Sequence, residues 1–209
     1  MKPFVTHEGV AAPLIRSNID TDTIIPSREM RHVSKQGLGE GLFAGWRYLK
    51  GGQETRAINP DFVLNKPQYA GASVLLAGRN FGCGSSREHA VWALLEYGFR
   101  AVIAPDFGSI FYHNAMRNGL LPVRLPESAI SNLSSPSDAA ASSEHITIDL
   151  RNSSVTGSAG LSYRFDIESM YREMLLRGMD TIDMTLQHQD LIDEFQSRDR
   201  QTRSWAYLR

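Results

Sequence analysis

The sequence predicts an α/β domain whose core is a set of parallel βαβ units. Short apolar runs alternate with amphipathic helical patterns between residues 72 and 125, and a glycine follows each predicted helix, as is common at helix ends. Strands joined through helices of this length run parallel and are connected by right-handed crossovers. The predicted strands span residues 72–77, 100–105 and 120–125, and the predicted helices span 88–97 and 108–118.

The composition narrows the classes of protein to which the chain can belong. With 209 residues, 42% of them hydrophobic, it can bury the core of one domain, with or without an extension. A net charge of -1 argues against a nucleic-acid-binding protein, and a single cysteine excludes a disulfide framework. That cysteine and six scattered histidines do not form a zinc or iron–sulfur site, so we expect no metal on this chain. The absence of a secretory leader or membrane-spanning apolar run leads us to expect a cytoplasmic protein.

Residues 18–26 read NIDTDTIIP and predict a polar turn followed by a short apolar segment. Four side chains have the spacing of a calcium-binding loop, at its positions 1, 3, 5 and 12: Asn18, Asp20, Asp22 and Glu29. Thr23 stands where such a loop requires glycine, and Pro26 restricts the backbone further. We therefore expect these side chains to tie down a turn rather than to bind calcium.

Residues 36–60 are rich in glycine and aromatic side chains and show no sustained period. This composition predicts a long surface loop with at most one short helix. Long loops in compact domains are usually functional or disordered, and the aromatic content favours a segment that docks onto another surface.

The C-terminal part of the chain predicts a polar connection followed by one strand and two helices. Residues 126–143 are polar and low in complexity, which predicts a mobile connection, and residues 146–150 alternate as a half-exposed strand. Asp166 is the predicted cap of a helix that ends at Gly178, and a second amphipathic helix is predicted over 187–196. The apolar face predicted for the first helix consists of Ile167, Met170, Tyr171, Met174 and Leu175.

The turn at residues 80–90, NFGCGSSREHA, lies between a predicted strand and a predicted helix. Gly82 and Gly84 permit positive φ and a close approach to another group. We predict Ser85 and Ser86 at the N-cap or in the first turn of the helix. Unpaired N–H groups and the helix dipole favour an anion there, so the turn predicts an anion-binding site at the carboxyl end of a strand.

Arg87 in this turn can bind a carboxylate or phosphate through two hydrogen bonds. A simpler alternative is a serine-capped helix in which Glu88 forms half of a capping box, although caps alone do not account for the glycines and the arginine. Three familiar motifs are excluded. A nucleophile elbow has serine where this turn has Gly84, and a dinucleotide fingerprint has glycine where it has Arg87. The Gly-Lys-Ser/Thr triplet of a Walker A loop does not occur.

Four segments of the chain resemble the small subunits of 3-isopropylmalate dehydratase, which contain the swivelling domain of the aconitase family. The segments are residues 18–26, 80–90, 107–120 and 175–186. The resemblance is to the longer bacterial type, and it implies a swivelling β/β/α domain over residues 1–165 with a C-terminal helical extension over 166–209. It also implies a large partner subunit that carries a [4Fe-4S] cluster, with no cofactor bound by this chain. The pair would isomerise 2-isopropylmalate to 3-isopropylmalate by way of 2-isopropylmaleate, in leucine biosynthesis.

The resemblance also implies roles for three residues of the turn. Ser85 matches the serine whose alkoxide removes the carbon-bound proton of the substrate. Arg87 matches an arginine that binds a substrate carboxylate, and Ser86 matches a neighbouring serine that donates a hydrogen bond. A serine is a poor base until its anion is stabilised, so helix amides and a nearby arginine are the electrostatics that this role would require.

Two further positions follow from the same resemblance. Asp22 matches an aspartate that forms a hydrogen bond within the assembled site and orients a histidine of the partner. A further substrate-binding arginine is expected after Asp22, and both Arg28 and Arg31 fit that position.

The remaining polar residues of these motifs receive structural assignments. Cys83 stands where aconitase itself has an acidic residue, and we predict a small buried thiol there. His89 and His113 are predicted to be helix residues with satisfied hydrogen bonds near the domain core.

Two alternatives to this function remain. One is a small subunit of a related hydro-lyase that acts on homocitrate, citramalate or another 2-substituted malate, with substrate choice decided after Asp22 by an arginine or an apolar pocket. The other is a non-catalytic carboxylate-binding or assembly module.

Overall fold

A computed structural model describes residues 1–30, 36–49, 56–134, 144–158 and 160–207 of the chain. In these residues the strands are β1 (Thr6–Leu14), β2 (Val74–Ala77), β3 (Ala101–Ala104), β4 (Leu121–Arg124), β5 (Glu144–Asp149), β6 (Ser154–Gly157) and β7 (Ser162–Arg164). They form one sheet in the spatial order β4-β3-β2-β1-β5-β6-β7. The strands from β1 to β4 pair in parallel, whereas β5 pairs antiparallel with β1 and with β6, and β6 pairs antiparallel with β7.

Helices connect and flank these strands. In the described residues they are α1 (Thr21–Ile24), α2 (Leu38–Gly41), α3 (Ala44–Arg47), α4 (His89–Tyr97), α5 (Ser109–Asn118), α6 (Glu127–Ser134), α7 (Ser169–Arg177), α8 (Thr181–Leu186) and α9 (Gln189–Thr202). Short 3₁₀ turns cover Ser27–Glu29, Val63–Asn65, Pro67–Tyr69 and Ser204–Ala206. None of the described helices is both long and apolar enough to cross a lipid bilayer.

The predicted parallel core is confirmed. Strands β2, β3 and β4 are adjacent and parallel, with Leu75 opposite Val102 and Val102 opposite Pro122. Every residue of β2 and β3 is buried, as parallel strands usually are. Helices α4 and α5 lie between them in sequence and end at the predicted glycines, Gly98 and Gly119. The α/β fold class is therefore confirmed.

Strand β1 was not predicted, yet it joins the parallel and antiparallel halves of the sheet. Its sequence, THEGVAAPL, contains glycine, alanines and proline, which have weak preference for strands. In the described residues β5 begins at Glu144, which lies opposite Ala11, and Pro13 lies opposite Leu76 of β2. Two neighbouring strands thus stabilise a segment whose own composition does not favour a strand.

Residues 36–49 contribute to the core, so the prediction of a surface loop with one short helix is wrong for them. They form α2 and α3, and α2 packs against α4. Leu42 and Phe43 are fully buried. The carboxylate of Glu96 on α4 accepts a hydrogen bond from the backbone N–H of Gly37 at 2.6 Å. Helices of only four residues are too short to display a helical period in the sequence.

Parts of two predicted segments lie outside the described residues: 50–55 of the 36–60 loop and 135–143 of the polar connection. The start of that connection forms α6, which packs against β1, β2, β3 and β5. Ala129, Ile130 and Leu133 give this helix a buried face. The prediction of a mobile connection is therefore wrong for residues 127–134.

Helix α7 begins later than predicted. Its N-cap is Glu168, so the prediction of Asp166 as the cap is wrong. Met170 was predicted to lie on the apolar face but is 51% exposed. The buried face consists of Tyr171, Met174 and Leu175.

The C-terminal helices differ in how they are attached. Helix α7 contacts α5, and the N-terminal segment is tied to it because the N–H of Phe4 donates to the carbonyl of Leu175 at 2.8 Å. The predicted helix at 187–196 lies largely within the longer α9, and it is preceded by α8, which was not predicted. Asp180 and Asp183 form a capping box that starts α8. Neither α8 nor α9 buries a residue. The proposed domain division after residue 165 stays a prediction.

Two truncated chains should distinguish the attachment of α7 from that of α8 and α9. A chain ending at residue 180 should melt within a few degrees of the full chain, because α8 and α9 bury no side chain. A chain ending at residue 165 loses three buried side chains of α7 and should melt about 10 °C lower or fail to fold. Thermal unfolding followed by circular dichroism measures both. A large destabilisation by the shorter truncation would contradict the peripheral position of α8 and α9.

Candidate functional site

The carboxyl ends of the parallel strands meet at one edge of the sheet, where the chain segments that follow β1 and β2 pair through their backbones. The N–H of Gly82 donates to the carbonyl of Ile19 at 2.7 Å, and the N–H of Thr21 donates to the carbonyl of Cys83 at 2.9 Å. Asp20 and Cys83 form an isolated parallel bridge. These bonds extend the β1–β2 pairing beyond the strand ends and bring the two motifs at 18–26 and 80–90 together.

The segment that follows β3 is joined to the same turn from its other side. The N–H of Phe81 donates to the carbonyl of Asp106 at 3.2 Å, and the N–H of Gly108 donates to the carbonyl of Phe81 at 2.9 Å. The Asp106 carboxylate also accepts from the backbone N–H of Asn80 at 2.6 Å. The turn is therefore held between two neighbouring segments by backbone bonds.

Gly82 and Gly84 have the positive φ that was predicted, 72° and 91°. A Cβ on Gly82 would lie 2.2 Å from Cγ of Phe111, so any larger residue here would force Phe111 or the backbone to shift. A Cβ on Gly84 would lie 3.4 Å from its nearest neighbour, on Asp20, an ordinary contact. The requirement for glycine is thus both conformational and steric at residue 82, and conformational alone at residue 84.

The start of α4 corrects the prediction of a serine cap. The helix begins at His89 with Glu88 as its N-cap, so Ser85 and Ser86 lie before the first turn. The alternative capping box is also wrong, since the Glu88 side chain makes no cap bond and instead accepts from Nδ2 of Asn118 at 2.6 Å. Both serines are exposed and belong to the turn itself.

Ser85 lies against Thr21 at the start of α1. The Thr21 hydroxyl is 3.1 Å from Oγ of Ser85 and also donates to the carbonyl of Ser85 at 3.0 Å. Thr21 is only 1% exposed, whereas Ser85 is open to solvent. The predicted base thus has one face toward solvent and the other against a buried hydroxyl.

Asp22 and Arg87 form an ion pair across the same junction. Asp22 occupies the first turn of α1, and that helix is capped by Asp20, whose carboxylate accepts from the N–H of Thr23 at 2.6 Å. The interpretation of residues 18–26 as a tied-down turn is confirmed in this contact. The Asp22 side chain is 54% exposed and that of Arg87 is 27% exposed, so the pair lies at the surface.

The two candidate arginines after Asp22 have different outcomes. Arg28 is exposed, and its Nε lies 3.2 Å from Oε1 of Glu29, which is also paired with Arg56 at 3.1 Å. Arg31 lies outside the described residues. The structure therefore places Arg28 in a surface ion network.

Cys83, predicted to be a small buried thiol, is half-buried. Burial raises the pKa of its thiol, and the neighbouring Asp20 carboxylate raises it further. The thiol is therefore less readily ionised than an ordinary cysteine.

His89 packs against Trp92, with ring centroids 4.8 Å apart, and Nδ1 of the exposed His113 lies 3.0 Å from the hydroxyl of Tyr171. Both histidines lie on helices, as predicted, but the contact of His89 is ring packing and His113 is exposed rather than close to the core.

Thr21 was not among the predicted site residues, although it lies between Asp20 and Asp22 of the motif at 18–26. A signal was present, because a hydroxyl in so polar a turn is a candidate hydrogen-bonding group. Its contact with Ser85 spans 64 positions in the sequence and depends on the pairing of β1 with β2.

A cavity of about 470 Å³ opens elsewhere at the end of β1, between residues 13–16 and two segments at 45–49 and 59–63. Its lining includes Arg16, whose guanidinium lies 4.8 Å over the ring of Trp46. None of the predicted site residues lines this cavity within the part of the chain that the structure describes. Asp22, Ser85 and Arg87 lie together at the open surface instead.

The described residues contain no group of three His, Cys, Asp or Glu side chains that could hold a metal ion. The whole chain has one cysteine, whereas an iron–sulfur cluster requires several thiolates. The residues described here therefore do not fit an iron–sulfur cluster.

Comparisons with known proteins agree on one family. The model of the aconitase C-terminal domain matches residues 1–128. A 3-isopropylmalate dehydratase small subunit from Cupriavidus necator is 57% identical over 208 residues, which cover 100% of this chain and 99% of that protein. The crystal structure of a 3-isopropylmalate dehydratase from Methanocaldococcus jannaschii superposes with a TM-score of 0.63 at 27% identity, over 92% of this chain and 99% of that one.

The two glycines of the turn provide a matched pair of variants. Gly82→Ala should destabilise the fold by about 3 kcal/mol or more, because the added Cβ meets Phe111 in a backbone conformation that alanine disfavours. Gly84→Ala should cost only about 1 kcal/mol, since it adds the conformational strain without the clash. Urea unfolding of both variants tests the difference. Equal losses would contradict the steric role of Gly82.

Proposed function

Since this chain belongs to the family of 3-isopropylmalate dehydratase small subunits, we propose that it completes the active site of a two-subunit hydro-lyase. The assembled enzyme removes water from 2-isopropylmalate and adds it back one carbon along, giving 3-isopropylmalate through 2-isopropylmaleate. The observation that carries the proposal is the convergence of Asp22, Ser85 and Arg87, which come from two motifs and form one open cluster. Such a surface is suited to closure by a second subunit.

Ser85 is the proposed base. Dehydration requires the removal of a proton from the carbon next to the one that loses its hydroxyl, and the Ser85 alkoxide accepts that proton. Rehydration with the opposite orientation returns the proton from the Ser85 hydroxyl to the other carbon. Because the hydroxyl is exposed, a substrate bound between the subunits can reach it.

Arg87 is the proposed carboxylate-binding residue. In the isolated chain its guanidinium is neutralised by Asp22. A substrate carboxylate replaces Asp22 as the partner of Arg87, and Asp22 is then available to orient a histidine of the large subunit. Ser86, exposed beside Ser85, donates a hydrogen bond to the bound substrate.

The [4Fe-4S] cluster of this enzyme class belongs, in this proposal, to the large subunit, because the described residues here offer no ligand set for it. The contribution of this chain is a base, a carboxylate-binding arginine and the rigid turn that holds them. The chain would act in the cytoplasm, with a large-subunit partner and a small-molecule 2-alkylmalate substrate. As its composition suggests, it would bind neither nucleic acid nor a membrane.

Substrate choice is assigned to the segment after Asp22, where Arg28 is exposed and Arg31 is the second candidate. An arginine that reaches the substrate would favour a second charged group, as in homocitrate, whereas apolar contacts would favour an isopropyl group. The match to relatives that act as 3-isopropylmalate dehydratases supports the isopropyl group.

Co-expression with a cluster-bearing large subunit tests the proposed function. The complex, purified anaerobically, should form 2-isopropylmaleate from 2-isopropylmalate. The absorbance of the alkene product measures this reaction. Ser85→Ala should abolish turnover and leave the complex intact, whereas Ser169→Ala, at an exposed serine of α7, should change nothing. A complex that forms but converts no malate derivative would instead support the carboxylate-binding or assembly module.

A second pair of variants tests Arg87. Arg87→Gln should raise the KM for 2-isopropylmalate about tenfold or more, because it removes a charged hydrogen-bond donor to the carboxylate. Arg79→Gln is the matched control, since Arg79 is exposed on the same turn and pairs with Glu127 and Asp106. Steady-state kinetics of the complex measures both, and an unchanged KM in Arg87→Gln would remove Arg87 from substrate binding.

A further inference from the structure

Thr21 is a buried hydroxyl that faces the exposed Ser85. Its backbone is fixed at both ends, because its N–H donates to the carbonyl of Cys83 at 2.9 Å and its carbonyl accepts from the N–H of Ile25 at 3.0 Å. A β-branched side chain has few accessible χ1 rotamers. The position of the Thr21 hydroxyl is therefore well defined by the fold.

The hydroxyl of Thr21 has one proton and two possible acceptors on Ser85. The Ser85 carbonyl lies at 3.0 Å and Oγ at 3.1 Å. The same carbonyl also accepts from the backbone N–H of Arg87 at 2.8 Å. When the Thr21 hydroxyl rotates toward Oγ of Ser85, the Ser85 carbonyl therefore still accepts the hydrogen bond from the N–H of Arg87.

Two arrangements of this pair follow from the chemistry of hydroxyl groups. When Ser85 is neutral, its O–H can donate to Thr21 while Thr21 donates to the Ser85 carbonyl. When Ser85 is an alkoxide, it has no proton to donate and is a strong acceptor, so the Thr21 hydroxyl turns to it. Hydrogen bonds to a charged oxygen are shorter and stronger than those between neutral groups.

We propose that Thr21 is a positioning residue for Ser85: it holds Oγ toward the substrate and donates its hydrogen bond to the alkoxide. This inference rests on the proposed function, because it requires Ser85 to act as a base. Thr21 itself touches neither the substrate nor the reacting carbon atoms. Its effect falls on the rate of proton transfer rather than on substrate binding.

Three variants of the co-expressed complex test the role of the hydroxyl. Thr21→Val replaces the hydroxyl with a methyl group at nearly constant volume, and Thr21→Ser keeps the hydroxyl and removes the methyl group. Thr21→Val should lower kcat for 2-isopropylmalate roughly ten- to a hundredfold, the effect of losing one hydrogen bond to a charged group, with KM unchanged within about twofold. Thr21→Ser should retain most of kcat. Thr21→Ala, which also lacks the hydroxyl, replaces Thr21→Val if that variant does not assemble.

The outcomes separate this inference from the proposed function. A wild-type complex that does not turn over 2-isopropylmalate overturns the proposed function, and with it the premise for Thr21. An active wild-type complex whose Thr21→Val variant keeps its kcat overturns the role of Thr21 alone. Equal losses in Thr21→Val and Thr21→Ser, or a rise in KM without a fall in kcat, show that packing matters and the hydroxyl does not, which also overturns it.

Discussion

The site depends on the close approach of the backbone at Gly82 to its neighbours. Gly82 donates to Ile19 in the segment after β1, and a Cβ on Gly108 would lie only 2.5 Å from the Gly82 carbonyl. A side chain at position 82 would clash with Phe111, which fills the adjacent space. The Gly82–Ile19 hydrogen bond, with the Asp20–Cys83 bridge beside it, holds the turn against the segment after β1, where the two motifs meet.

A cluster of three phenylalanines supports the turn from within the core. Phe81 packs edge-on against Phe111, with ring centroids 5.3 Å apart, and edge-on against Phe107 at 6.3 Å. Such edge-to-face pairs add stability beyond the burial of their surface. The exposed polar residues of the turn are therefore supported by a packed apolar cluster, which suits the proposed roles of Ser85 and Arg87, since both need fixed positions.

The Asp22–Arg87 ion pair orients the guanidinium, and its carboxylate can be replaced by another. Exposed ion pairs contribute only about 0–1 kcal/mol to stability, so replacing one carboxylate with another has little cost for the fold. The pair keeps the guanidinium oriented in the isolated chain, and in the proposed function it would let the guanidinium pass to a substrate carboxylate. The buried Thr21 hydroxyl, by contrast, is fixed by the fold. The cluster thus contains one ion pair, Asp22–Arg87, whose carboxylate can be replaced, and one hydroxyl, that of Thr21, whose position the fold fixes.

The sequence by itself determined the parallel core, since apolar runs and helix-ending glycines are local signals, and it determined positive φ at Gly82 and Gly84. It also singled out Asp22, Ser85 and Arg87, whose motifs the structure brings together. Only the tertiary structure decided that α4 starts after Ser85, that α2 packs on α4 with Leu42 and Phe43 buried beside it, and that Thr21 faces Ser85. The physical reason is separation: Thr21 and Ser85 are 64 positions apart and meet because β1 pairs with β2, although the composition of β1 does not favour a strand.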